Sequence, residues 1–214
     1  RIDWRRSFVL PLGIEGTVLG EMTADAYSIS DDLADGGSTT RTHGSAGVEL
    51  RWPWVKAEAG GGTQVIEPVV QLLFSSSNAE SLPNEDSALV EFDEGNIFAL
   101  DRFPGSDAVE RGPRANVGIS WTRFDPQGWS MGVTVGRVFR EADLGQFSPG
   151  SGLGGSQSDW LAAANFTLAD GLAITGRLVM DDGFDLTKGE ARVTLNGPKT
   201  SVATWPAATS VMPS

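Results

Sequence analysis

The stretch WSMGVTVGRVFR, from Trp129 to Arg140, decides the fold class. Apolar side chains occupy every second position, and small or polar residues fill the positions between them. The apolar members of this alternation are Trp129, Met131, Val133 and Val135. A two-residue period is that of a β-strand with one apolar and one polar face. The stretch therefore predicts a strand that is apolar on one side only.

Eight further stretches alternate in the same way, which gives about nine strands in all. They are Ile2–Leu10, Gly16–Ile29, Gly47–Trp54, Gln64–Ser75, Arg114–Arg123, Asp159–Leu168, Leu172–Met180 and Ala191–Leu195. Many have the ~9–11 residues that a tilted strand needs to cross a bilayer. We expect one continuous outer face made by Val48, Leu50, Val117, Ile119, Met131, Val133, Ile174 and Leu178. The opposite face carries the candidate lumen-facing residues Glu49, Arg51, Glu67, Arg114, Arg177 and Arg192.

The connections between these strands alternate in length. Short ones fall at Pro11–Gly13, Ala57–Gly62, Asp125–Gly128 and Asp170–Gly171, and long ones at Ser30–Thr42, Ser76–Gly112, Glu141–Gln157 and Asp181–Gly189. Outer-membrane barrels have short periplasmic turns and longer extracellular loops. The sequence therefore predicts an all-β fold, an antiparallel up-and-down transmembrane β-barrel. Residues 1–196 are interpreted as part of a larger barrel, and residues 197–214 as a truncated or irregular tail.

Arg137 is an exception to this pattern, because it shares the apolar side of its strand. An arginine facing lipid costs ~2–4 kcal/mol at the bilayer midplane but only ~0–1 kcal/mol near the interface. We therefore expect Arg137 to lie close to the membrane surface, to contact lipid head groups, or to follow a β-bulge.

Composition excludes several classes of protein. The net charge of −12 argues against a nucleic-acid partner, for which a basic surface is expected. The chain has no cysteine, so it can form neither a disulfide nor a thiolate metal site within itself. Arg1 enters directly into strand-like sequence without an initiator methionine or a signal peptide, so we expect a piece of a longer chain.

Residues with catalytic or metal-binding potential are few. His43 is the single histidine, and we place it in a solvated loop rather than in a catalytic triad. Glu85, Asp86, Asp93 and Glu94 carry oxygen ligands of the kind that calcium prefers, but their spacing matches no EF-hand. We predict no catalytic residue, no cofactor and no metal, and therefore a protein that is not an enzyme.

The connection from Leu82 to Gly112, LPNEDSALVEFDEGNIFALDRFPGSDAVERG, is much longer than the ~4–6 residues of most connections. It is rich in apolar residues, which predicts that it folds back into the barrel mouth as an occluding loop. We expect Phe92, Ile97, Phe98 and Phe103 to pack inward, with Asp101, Arg102 and Asp107 pairing to hold the loop. The candidate residues of this loop are Asn84, Asp86, Phe92, Ile97, Phe98, Asp101, Arg102, Phe103, Gly105, Asp107 and Arg111.

Parts of this connection also resemble a known family. The tetrad Asn84–Ser87, the run Glu91–Phe98 and the run Asp101–Gly112 are similar to the central barrel region of the outer-membrane LPS-assembly protein, LptD, also called organic solvent tolerance protein. The preceding strand Ile66–Ser75 and the start Arg1–Phe8 fit the same family. The match is specific in the loop and generic in the strands.

The resemblance implies a function in transport. It implies location in the Gram-negative cell outer membrane and a part in the translocon that assembles lipopolysaccharide into the outer leaflet. The implied partners are lipopolysaccharide, an outer-membrane lipoprotein plug subunit, and a periplasmic LPS-bridge protein that binds an N-terminal domain outside this sequence. Two alternatives stay open: a porin or substrate-specific outer-membrane channel, and a soluble all-β binding module.

Overall fold

The computed structural model describes residues 1–29, 37–77, 90–105, 108–197 and 200–204. Its eleven strands form one antiparallel sheet. They are β1 (Ile2–Val9), β2 (Glu15–Ile29), β3 (Gly37–Arg51), β4 (Trp54–Ala57), β5 (Thr63–Ser77), β6 (Gly112–Phe124), β7 (Ser130–Arg140), β8 (Trp160–Thr167), β9 (Leu172–Met180), β10 (Leu186–Gly197) and β11 (Thr200–Thr204). Among these residues, no helix is long and apolar enough to span a membrane.

With the exception of β3 and β4, strands that follow one another in the chain are neighbours in the sheet, which confirms the predicted all-β antiparallel meander. All nine predicted strands form. The two further strands are β4 and β11. β4 continues the pairing of β3 along β5, and the interruption falls at Pro53, which lacks a backbone N–H for the ladder. β11 pairs with Val193–Gly197 of β10 and lies inside the segment 197–214 that was interpreted as a tail.

The register sorts the side chains into two faces, because residues paired across antiparallel strands point to the same side. The eight residues predicted for the outer face do share one side, which we call the apolar face. Seven of the eight are exposed in this structure, from 37% for Val133 to 47% for Ile119, and Met131 is half-buried. An apolar surface of this extent on a water-soluble protein marks an interaction site or a membrane contact.

Two of the predicted long connections are shorter than expected. β3 begins at Gly37, inside the predicted connection Ser30–Thr42, and β10 begins at Leu186, inside Asp181–Gly189. The predicted bounds of these two connections are therefore wrong, because β2 and β3 pair as far as Ile29↔Gly37 and β9 and β10 pair as far as Met180↔Leu186. The two connections between β5 and β6 and between β7 and β8 remain long.

The sheet is open over the described residues, since the pairing runs from β1 to β11 without joining its two ends. The face opposite the apolar one, which we call the polar face, carries all six candidate lumen-facing residues. The buried core lies on this face, against part of the long connection between β5 and β6.

Candidate functional site

Residues 90–105 and 108–111, which we call the inward segment, lie against the polar face of the sheet. Phe92 and Ile97 are 2% and 1% exposed and belong to the buried apolar cluster. The other members are Val138, Leu153, Leu161 and Val179, with Val90, Phe98 and Phe147 packed against them. These residues come from β7, β8, β9 and from the β7–β8 connection. The segment therefore crosses several strands and shares its core with the second long connection.

Two glycines of the sheet make room for the segment. A Cβ placed on Gly136 would lie 2.8 Å from the Val117 carbonyl oxygen and would overlap the end of the Ile97 side chain. A Cβ on Gly118 would lie 3.0 Å from the Phe98 ring. The absence of side chains at these positions lets Ile97 and Phe98 rest directly on the strand backbones.

Glu110 is the centre of a buried ionic network beneath the segment. Its carboxylate is fully buried and accepts hydrogen bonds from Arg102 at 2.6 Å and from Arg140 at 3.0 and 3.2 Å. The Nε of Arg114 lies 3.7 Å from the same carboxylate. One anion thus joins three guanidiniums, of which Arg102 belongs to the segment and the other two to β6 and β7.

Other donors of these arginines bind polar groups of the segment and the sheet. Arg102 donates to the Ile97 carbonyl at 2.6 Å and to the Asn116 side chain at 2.8 Å. Arg140 donates to the Leu153 carbonyl at 2.9 Å, and Arg114 donates to the Leu100 carbonyl. These hydrogen bonds to backbone carbonyls fix the course of the chain, in addition to the ion pairs with Glu110. The two long connections are therefore fastened to the same ions.

The pKa of Glu110 follows from these surroundings. Burial by itself raises the pKa of a carboxyl, but the nearby Arg102, Arg114 and Arg140 more than offset it, so the pKa of Glu110 is lowered below its ordinary value of 4.5. Glu110 is therefore ionised at neutral pH. Among the described residues, Glu110 is the carboxylate within ion-pair distance of all three guanidiniums, so the network depends on Glu110.

Asp101 has a different environment from the one predicted. Its carboxylate accepts the backbone N–H groups of Phe103 at 3.0 Å and Glu110 at 3.1 Å, and the partner of Arg102 is Glu110 rather than Asp101. The predicted pairing of Asp101 with Arg102 is therefore wrong. Burial is the largest influence on this side chain and raises the pKa of Asp101 above its ordinary value of 3.8.

The far end of the inward segment is held by ion pairs at the other side of the sheet. Asp93 lies 3.3 Å from Arg177 on β9, which also pairs with Glu190 on β10 at 2.6 Å. Gln71 on β5 donates to the Phe98 carbonyl at 3.1 Å. The segment is thus attached along the polar face from β5 to β10.

The candidate lumen-facing residues lie on one face but in different surroundings. Arg51 bridges Glu49 and Glu67, each at 2.8 Å, at the edge of the inward segment, and its guanidinium lies 5.6 Å from the centre of the Phe98 ring. Arg114 is buried beneath the segment, and Arg177 is half-buried beside it. Arg192 is exposed on β10. The structure therefore brings Glu49, Arg51 and Glu67 together, and separates Arg192 from them.

His43 lies in β3 and not in a loop, so its predicted placement is wrong. It is 5% exposed on the polar face. Its ring nitrogens contact the Ser76 carbonyl at 3.1 Å and the Ser45 hydroxyl at 3.0 Å. Ser45 contacts the Ser75 hydroxyl at 2.9 Å, and Arg114 donates to Ser75 at 3.0 Å. A chain of hydrogen bonds therefore connects His43 to the ionic network.

Arg137 is accommodated by its neighbours on the apolar face. Its Nε donates to the Ser158 carbonyl at 2.6 Å, and Asp182 pairs with it at 2.5 Å. The guanidinium lies 5.7 Å from the Phe139 ring centre and 5.1 Å from that of Trp160. Opposite it, the pairing shifts by one residue between Gly136↔Leu161 and Phe139↔Gln157, which is the signature of a β-bulge. This bulge lies on the partner strand; β7 itself pairs with β6 without a shift, so Arg137 does not follow a bulge in its own strand.

The other predicted loop residues either make contacts away from the Glu110 network or lie outside the described residues. Asn84, Asp86 and Asp107, together with Glu85, are outside the described residues. Gly105 lines a cavity beside the segment. Phe103 stacks on Phe147 at 4.9 Å, and the backbone of Arg111 exchanges hydrogen bonds with Gln146. In the described part of the chain, no group of three or more acidic, histidine or cysteine side chains could hold a metal ion.

The sequence interpretation missed the residues that organise the site. Glu110 and Arg140 were not among the candidates, and neither were Gln71 and Asn116, which are fully buried. A signal existed: Glu110 is flanked by Arg102, Arg111 and Arg114, and a buried arginine requires a counter-charge. Which arginine turns inward could not be deduced from the spacing.

Comparison with known proteins identifies the family. The chain matches the model of LPS transport system D, LptD, over residues 1–205. Comparison with curated proteins found no match. Because the match spans nearly all of the 214 residues, the chain belongs to the LPS transport system D family, and the resemblance seen in its sequence is confirmed. This is a family of Gram-negative outer-membrane proteins that serve lipopolysaccharide transport.

Proposed function

We propose that this member of the LPS transport system D family forms part of the wall of a larger transmembrane β-barrel, in the translocon that assembles lipopolysaccharide into the outer leaflet. The apolar face contacts lipid in this proposal, and the polar face lines the lumen. The observation that carries it is the division of the open sheet into a continuous exposed apolar face and a face with buried charges.

The inward segment is, in this proposal, a fixed occluding element of the barrel. Its attachment through Glu110 supports a fixed position, because separating one anion from three guanidiniums would leave unpaired buried charges. A segment that moved with each transport event would expose its inner surface to water, so that surface would have to be polar. The apolar cluster around Ile97 has the opposite character.

The family also suggests the partners and the chemistry. We propose lipopolysaccharide as the transported molecule, with a lipoprotein subunit plugging the barrel and a periplasmic LPS-bridge protein delivering the lipid. Transport of this kind makes and breaks no covalent bond in the barrel, so we propose no catalytic residue and no cofactor. The arrangement of Glu110 and its arginines supports a structural role for these ions.

The test is deletion of residues 81–111 from the full-length protein in its native membrane. Ser75 and Gly112 are paired across β5 and β6, so a short connection can replace the deleted one without moving either strand. We expect greater cell permeability to a large antibiotic at matched barrel levels. Permeability at the wild-type value would contradict the occluding role.

Depletion of the protein tests transport separately. We expect loss of lipopolysaccharide from the cell surface, measured by labelling intact cells. A porin or substrate-specific channel is the alternative function, and its depletion would instead reduce small-solute uptake and leave surface lipopolysaccharide unchanged. That outcome would refute the transport proposal while leaving the barrel interpretation in place.

A further inference from the structure

We propose that a groove on the apolar face, formed by β2, β3 and β5, binds one acyl chain of a lipopolysaccharide molecule that resides in the outer leaflet. This inference rests on the proposed function, because it takes the apolar face as the surface in contact with lipid. It concerns a lipid bound to the outside of the wall, and not a molecule on its way through the barrel.

Small residues of β3 form the floor of this groove. Gly44 pairs with Met22 of β2, and Ala46 pairs with Phe74 of β5. Met22 and Phe74 are 58% and 56% exposed, and their side chains form the two walls. The cavity that they border has a volume of about 600 Å³. Cavities of roughly 300–1,000 Å³ are typical of sites for small organic molecules.

The groove opens on the apolar face and not toward the polar one. Glu21, His43 and Ser45 also line it, but each is adjacent in the chain to a residue of the apolar face. Alternation along a strand therefore points their side chains to the polar face. There Glu21 lies 2.9 Å from Arg1, and His43 contacts the Ser45 hydroxyl at 3.0 Å. These three residues contribute backbone to the floor of the groove.

The two ends of the groove differ in polarity. Thr42, Ser76 and Ser77 line the end that is next to the long connection between β5 and β6, whereas Ala46 and Phe74 line the rest. Long connections of outer-membrane barrels face the cell exterior. The groove therefore lies at the level of the outer leaflet, with its hydroxyl groups toward the lipid head groups and its apolar part toward the hydrocarbon.

An acyl chain is the occupant that this arrangement fits. A hollow in a lipid-facing surface loses dispersion contacts unless other atoms fill it, and a flexible unbranched chain can follow a narrow trough. Met22 adds an adaptable apolar contact on one side. Among the described residues that line the groove there is no lysine or arginine, so a phosphate group is not what it recognises. Because the proposed function places lipopolysaccharide in this leaflet, we assign the chain to that lipid.

The experiment fills the groove with one added side chain. Gly44→Leu is accepted by the backbone, because a Cβ there would meet nothing nearer than the Glu21 carbonyl oxygen at 3.9 Å. Gly176→Leu on β9 is the matched control, since it lies on the same face and its Cβ would meet the Glu190 carbonyl oxygen at 3.7 Å. Both variants are made in the full-length protein, which is purified with its native partners and reconstituted in phospholipid vesicles.

The probe is myristic acid that carries a photoreactive diazirine, and peptide mass spectrometry locates the labelled positions at matched levels of assembled barrel. We expect severalfold more labelling on β2, β3 and β5 around the groove than on the rest of the apolar face. Gly44→Leu should lower this excess severalfold, and Gly176→Leu should leave it unchanged. Labelling spread evenly over the apolar face, or an excess that Gly44→Leu does not lower, would overturn the groove as a binding site.

Competition identifies the lipid that supplies the chain. Lipopolysaccharide added to the vesicles should reduce the labelling of the groove severalfold, whereas the same amount of acyl chain added as phospholipid should not. Equal reduction by the two lipids, or none by lipopolysaccharide, would refute the assignment to lipopolysaccharide. Failure of the proposed function is a separate result, since depletion of the whole protein would then leave surface lipopolysaccharide at its normal level.

A second variant covers the case in which Gly44→Leu does not assemble. Phe74→Ala removes one wall of the groove, and because Phe74 is an exposed side chain of the apolar face, its loss leaves the buried cluster intact. We expect a severalfold weaker excess of labelling on β2 and β3. Labelling as strong as in the unsubstituted protein would contradict the proposal.

Discussion

The two halves of the polar face differ in what covers them. From β5 to β10 the inward segment buries Phe92, Ile97 and the Glu110 network, whereas beside β2 and β3 it leaves an open cleft lined by ion pairs. Both halves contain arginines paired with carboxylates. What differs is the contact with the segment, whose apolar side chains pack against β7, β8 and β9 but leave a cavity of about 650 Å³ beside β2 and β3. Direct packing of the segment, rather than charge, distinguishes the two halves.

Removal of the central anion should have the largest effect on this contrast. Glu110→Gln keeps the shape of the side chain but leaves Arg102, Arg114 and Arg140 without their shared carboxylate. Breaking a buried ion pair from one side costs about 3–5 kcal/mol. We expect a lower temperature for loss of the folded band in semi-native electrophoresis. The matched control is Glu67→Gln at the partly exposed pair with Arg51, which should change it far less.

Glu110 also sets the pH below which the inward segment loses its attachment to the sheet. The pKa of Glu110 is lowered in the fold, so its contribution to stability is complete above the ordinary value of 4.5 and is lost as the pH falls through the folded pKa. We expect protease cleavage within residues 90–105 to rise as the pH falls below about 4.5. Cleavage that is independent of pH over this range would show that the ion is not what holds the segment.

Adding a single methyl group beneath the segment should have an intermediate effect. Gly136→Ala places a Cβ against Ile97 and within 2.8 Å of the Val117 carbonyl oxygen, where backbone has to move. Overpacking of this kind costs about 1–3 kcal/mol. Gly176→Ala is the control, because its Cβ would meet the Glu190 carbonyl oxygen at an ordinary 3.7 Å. Equal thermal stability of the two variants would contradict the close contact at Gly136.

Replacement of Asp101 should have the smallest effect on stability, and it should stabilise the fold rather than destabilise it. Burial raises its pKa, so the ionised carboxylate destabilises the fold at neutral pH, and this cost is relieved as the pH falls through the raised pKa. Asp101→Asn keeps an oxygen for the N–H groups of Phe103 and Glu110 and removes the charge. We expect slightly greater thermal stability at pH 7, measured beside Glu110→Gln. A loss of stability as large as that of Glu110→Gln would refute the different environments of these two acids.

The sheet could be predicted from the sequence because its cause is local. Val133 and Ile119 alternate with small or polar neighbours, and this period fixes both the strand and the side that each residue faces. The bounds of β3 and β10 could not be predicted, because Thr40 and Lys188 become strand only through pairing with residues on adjacent strands. His43 was misplaced for this reason.

The candidate site could be predicted only in part. Apolar residues such as Phe92 and Ile97 indicate that the connection has to bury itself, since composition alone carries that information. The choice of Glu110 over Asp101 as the partner of Arg102 depends on the folded course of the chain. The approach of Arg140 to Glu110, thirty positions away in the sequence, also depends on the folded course of the chain.

Reactivity of a cysteine beneath the segment tests the central claim most directly. Val138 of β7 is fully buried in the cluster with Phe92 and Ile97, so Val138→Cys changes the volume little and introduces a thiol where this chain has none. The rate of modification by a water-soluble thiol reagent is measured in the assembled full-length protein, with and without residues 81–111. We predict a protected thiol in the intact protein and a reactive one after deletion. The same rapid modification in both proteins would contradict a fixed segment over this half of the polar face.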